Sequence, residues 1–141
     1  MIKLTSVLAA LVLIIGCSNG SKHEMHQKHL VKQNLGLQFN GKDKWSINEE
    51  MKPYMQNAQI LLTEFKTDSD YKSLAENLRE QNNALIKSCK MDGKSHDELH
   101  KWLMPHIELV SQLDKAETSE EAVAVIERLS ASMQLFNTYF E

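Results

Sequence analysis

Cys89, His96 and His100 are the residues best equipped for chemistry in this chain of 141 residues, and their spacing draws them together. Histidines at i and i+4 lie one helical turn apart, so both rings leave the same face of a helix as a natural chelate. Cys89 precedes them across a connection that contains Gly93. Met51 and Met91 add thioether donors from neighbouring segments. A set of thiolate, imidazole and thioether groups favours Cu(I), and Cys89 with the two histidines would serve Zn(II).

Other chemistries fit the same residues less well. The string His96-Asp97-Glu98-Leu99-His100 approaches the H-E-x-x-H pattern of zinc proteases, but the acid stands one position late and on the wrong side to act as a general base. Asp97, Glu98 and Lys101 are expected to face solvent. Cys89 as a nucleophile lacks a third residue to orient His96 or His100 as its base. Covalent haem attachment by C-x-x-C-H is missing, as is any glycine-rich phosphate loop. The reading is therefore a binding protein and no enzyme. His106 is expected to be a half-buried structural histidine, whereas His23, His26 and His29 form a second candidate metal set in a polar stretch.

The first residues say where such a site would work. Lys3 is followed by an apolar run from Leu4 to Ile15 that is too short to span a bilayer, and Ile14-Ile15-Gly16-Cys17 ends it with a small residue before a cysteine. This resembles the lipobox of bacterial lipoproteins, with Ile14 where Leu is usual. The resemblance implies cleavage before Cys17 and lipid attachment to it, which places the protein in the cell envelope, at the outer membrane or on the periplasmic face. Ser18 is compatible with the outer membrane. Cys89 would then be a lone thiol in an oxidising compartment, where no intramolecular disulfide can form.

The rest of the chain must position these groups. Residues 1–16 read as the signal, 17–45 as a flexible tether and extended segment ending at an Asn40-Gly41 turn, and 46–141 as helical. Ser46 with Glu49, Ser95 with Glu98 and Thr118 with Glu121 form capping boxes, and a further start lies near Asp68 to Asp70. Apolar residues recur at helical spacing after each start, with Asn82 as a polar intruder. Pro53 and Pro105 are expected to kink their helices or shift their starts; alternatively the first helix begins at Pro53 itself.

Four such stripes with short connections predict an all-α, antiparallel up-down-up-down four-helix bundle with Leu61, Leu78, Leu103, Ile126 and Phe136 buried together. That connectivity gathers Met51, Cys89, Met91, His96 and His100 at one end. In size, export and helix count the domain resembles the cytochrome b562 bundles, which take a Met near their start and a His on their last helix. Met51 or Met55 matches the first, but the fourth helix has no histidine, so haem is the less favoured cofactor. A formal charge of −3 with interspersed signs argues against nucleic acid as a partner. The remaining alternative is a structural lipoprotein that binds another envelope protein.

Overall fold

Amphipathic helices of this length hold together only by burying their stripes against one another, and the polar contacts between them report how they do so. The computed structural model describes residues 35–67 and 70–141. Cys17, the apolar run before it and His23, His26 and His29 lie outside the described residues. Within them the chain forms a 3-10 turn at Glu49–Met51 and four helices, α1 (Lys52–Glu64), α2 (Tyr71–Ser88), α3 (Gly93–Lys115) and α4 (Ser119–Tyr139).

Lys72, at the start of α2, reaches the carbonyls of Asp114 and Ala116 at the end of α3. Trp102 Nε1 donates to Ser132 O at 2.8 Å, while Arg128, earlier in α4, donates to Gln112, later in α3, at 2.9 Å. Asn57 of α1 meets Gln81 of α2, and Asn137 of α4 returns to Gln59 of α1, both at 3.4 Å. Each helix is thus antiparallel to the next and the last closes on the first. The architecture is the up-down-up-down bundle that the stripes predict.

Met51, Leu78, Leu99, Trp102, Leu113, Leu129 and Met133 fill its centre with almost no exposure. Leu78, Leu103 and Phe136 are buried as expected, but Leu61 and Ile126 are only half-buried at the rim, and Leu62 and Leu129 take the inner positions. Asn82 is buried, and its Nδ2 has no hydrogen-bond partner among the described residues.

Helix starts follow local chemistry in two cases and depart from it in two. Asp70 accepts from the amides of Lys72 and Ser73, and Thr118 Oγ1 accepts from Glu121 N at 3.2 Å, so both act as caps. The Ser46 box is not used: α1 begins at Lys52 with Pro53 in its first turn, where a missing amide hydrogen costs nothing. Nor is the Ser95 box. Gly93 opens α3 at φ +55°, and Ser95 Oγ turns back to donate to Asp92 O at 2.9 Å. Pro105 lies inside α3, which runs through it without a break.

Residues 35–47 lie extended across one end of the bundle. Trp45 and Phe140 form a parallel bridge, with Trp45 N donating to Tyr139 O at 2.8 Å and Glu141 N to Trp45 O at 3.0 Å. The expected turn is present, with Gly41 at φ +69° between the paired residues Asn40 and Asp43. Because Leu103 is 3% exposed in the shared core, Leu103→Ala is expected to destabilise the fold. The loss should be roughly 2 to 5 kcal/mol, read from urea unfolding followed by circular dichroism.

Candidate metal-binding end of the bundle

Helix α2 ends because Cys89 leaves helical geometry (φ −68°, ψ 122°) while its amide still reaches Ile86 O at 3.3 Å. Four residues later α3 begins. This short link is held from outside by Asn48, whose Oδ1 accepts from Lys90 N at 2.6 Å, and by an ion pair between Lys90 and Glu50 at 2.5 Å. The hydrogen bond from Lys90 holds the exposed Glu50 carboxyl below its ordinary value. The entry to α1, the end of α2 and the start of α3 therefore occupy one end of the molecule, as connectivity alone implies.

There Cys89 Sγ lies 3.7 Å from His96 Nδ1, and the His96 and His100 rings stand 4.4 Å apart between centroids. Cys89 and His96 are half-buried, whereas His100 is exposed. Two bonds of about 2.3 Å to sulfur and about 2.05 Å to nitrogen span about 3.6 Å at the tetrahedral angle and about 3.8 Å at the trigonal angle. Sγ and Nδ1 stand within hydrogen-bond reach for a sulfur partner, a separation that two ligands of one metal ion would also show. Among the described residues no set of three His, Cys, Asp or Glu side chains is assembled to hold a metal ion. Met91 is partly buried against the core, and Met51, at 0% exposure, is a packing residue rather than an accessible donor.

Of the three residues expected to face solvent, Asp97 and Lys101 are exposed, but Glu98 has a different task and is 2% exposed. One carboxylate oxygen accepts from Gln38 N at 2.8 Å and the other from Lys101 Nζ at 2.7 Å, and Lys101 also donates to Gly36 O at 3.1 Å. Gln38 O in turn accepts from Trp45 Nε1 at 2.7 Å. Burial pushes the Glu98 carboxyl up, but the hydrogen bonds from Lys101 and Gln38 and the charges of Lys101 and Lys94 outweigh it and hold the group below its ordinary value. Glu98 is the clasp that fastens the extended segment to α3. Its spacing to Lys101 is a local hint of pairing, but the Gln38 amide is too distant in sequence to be inferred.

His106 also differs from expectation, being 1% exposed rather than half-buried. Its ring stacks on Trp102 at 4.7 Å, Nδ1 meets Ser132 Oγ at 3.0 Å, and Nε2 has no hydrogen-bond partner among the described residues. Burial lowers its pKa from 6.5 to about 4, which keeps the ring neutral at pH 7. It is a structural residue of the α3/α4 interface, nearly two turns beyond His100. Comparisons with protein-family models, curated proteins and solved structures found no match to this chain.

These two buried groups generate separate expectations. As pH falls from 6.5 towards 4, the unfolded chain protonates His106 while the folded chain does not, so stability is lost in that window. The His106 contribution to that loss should approach about 3 kcal/mol, and the pH 7 to pH 4.5 difference in urea midpoint should shrink in His106→Leu. An unchanged difference would exclude this account. For Glu98→Ala, which removes both bonds to the clasp, amide exchange at residues 36–45 should accelerate before that of the bundle core, with a stability cost of about 1 to 3 kcal/mol.

Proposed function

We propose that this protein is a lipid-anchored, non-enzymatic component of the bacterial cell envelope whose helical domain binds a soft metal ion as a chaperone, buffer or sensor. The observation that carries the reading is the approach of Cys89 Sγ to His96 Nδ1 at 3.7 Å, with the His100 ring alongside. Thiolate and imidazole together favour copper over hard cations. Cys89 packs partly against the core but keeps part of its surface open beside an imidazole, whereas free cysteines that only fill space are normally fully buried. The lipobox-like Ile14-Ile15-Gly16-Cys17 supports the anchoring.

A second reading is a lipoprotein that binds another envelope protein. It has in its favour an open groove of about 490 Å³ between α1 and the end of α4, lined by Ile47, Met55, Ile60, Phe136 and Phe140. The two readings separate on metal content.

Two measurements test the proposal. Cys17→Ser should move the protein from the membrane fraction to the soluble fraction and block the change in mass on processing; retention on membranes would refute the anchor. Metal analysis of the protein purified without a histidine tag should find copper in the wild type, lowered about tenfold or more in Cys89→Ser, in line with loss of a direct ligand. Equal metal content in both would leave the protein-binding reading.

A further inference from the structure

Resting on the soft-metal reading above, we infer that the Cys89–His96 site takes a monovalent soft cation, Cu(I) or its analogue Ag(I), in low coordination, with His100 as a movable third ligand. Two donors already face each other. Cys89 closes α2, His96 sits in the first turn of α3, the link between them is held by Asn48 and Glu50, and Sγ and Nδ1 stand 3.7 Å apart. That separation falls between the spans of about 3.6 and about 3.8 Å calculated for tetrahedral and trigonal ligand pairs.

The third donor is adjustable. His100 is exposed and its ring is tilted 52° to that of His96, so rotation about its side-chain bonds can turn a nitrogen toward an ion held by the first two. Among the described residues no fourth donor is grouped with them: Met51 and Met55 are spent in the core, at 0% and 7% exposure, Met91 is partly buried against it, and Asp92 and Asp97 do not group with the thiol and imidazole. Closed zinc sites use four protein ligands, and a soft thiolate with one or two imidazoles is a set that Cu(I) accepts at low coordination number. Binding is a ligand exchange without electron transfer: the Cys89 thiol releases its proton to solvent as the sulfur–metal bond forms.

The test uses the full chain, reduced and in detergent. Cu(I) affinity is measured by competition with a chromophoric Cu(I) chelator, Zn(II) affinity with a zinc chelator, and the coordination number of bound Cu(I) by X-ray absorption. One Cu(I) per chain with two or three sulfur and nitrogen neighbours is expected, and Zn(II) should bind at least about a hundredfold more weakly. Cys89→Ser should weaken Cu(I) binding by about a hundredfold and His100→Ala by about tenfold, while replacing His23, His26 and His29 with Ala leaves it unchanged. Zn(II) binding as tight as Cu(I), or four protein ligands, would overturn low coordination and leave the soft-metal reading intact. Loss of binding on replacing His23, His26 and His29 would overturn His100 as the third ligand. Cu(I) binding no tighter than that of Cys89→Ser would overturn the soft-metal reading itself.

Discussion

The link of four residues between α2 and α3 is the constraint on which the candidate site depends. A connection so short obliges consecutive helices to pack side by side and antiparallel, because no chain of that length can cross the bundle. It therefore fixes the end of α2 against the start of α3. Asn48 extends the constraint to a third element, since its side chain occupies the Lys90 amide just after α2 has stopped supplying partners. An unsatisfied amide at that position would cost free energy if buried, and its satisfaction by a residue 42 positions away ties local backbone chemistry to tertiary structure. Cys89 and His96 meet as a consequence.

The polar groups enclosed by the bundle give it a single arrangement. Apolar stripes alone tolerate sliding, because one leucine packs about as well as another against a neighbouring helix. Trp102 and His106 do not tolerate it. Both are committed to Ser132 of α4, through its carbonyl and its hydroxyl, and a slip of one turn would leave two polar groups buried without partners. Glu98 plays the same part for the extended segment, whose backbone would otherwise lie on α3 without a specified position. The unpartnered Nδ2 of Asn82 and Nε2 of His106 are the cost left in an otherwise well-satisfied interior.

How much of this could be read beforehand depended on the distance over which each determinant acts. Helix number, order and direction were legible because periodic stripes and short links are local signals. Asp70 and Thr118 were legible as caps for the same reason. The Ser46 and Ser95 boxes misled because a nearby residue with a stronger backbone requirement prevailed: Pro53 favours the first turn of a helix, and Gly93 takes a φ that other residues resist. Glu98 was misplaced because helical periodicity assigns a face without knowing whether another segment will cover it. The approach of Cys89 to His96 was legible from connectivity, and so was the packing role of Met51, since a methionine on an apolar stripe is more often core filler than ligand.

Where the thiol sits in the gradient of burial bears on what it does. Had Cys89 stood one turn earlier, near Leu85 at 1% exposure, its thiolate would have been costly to form and no ion could have reached it. Placed instead after the last turn of α2, it packs partly against the core and keeps part of its surface within reach of solvent. His96 lies on the same boundary, and His100 on its open side. Structural metal sites are closed by a full set of protein ligands, whereas sites that exchange a ligand keep one position open. The half-buried pair with an exposed neighbour leaves one side open to solvent, and on the proposed reading that suits transfer or sensing better than permanent storage.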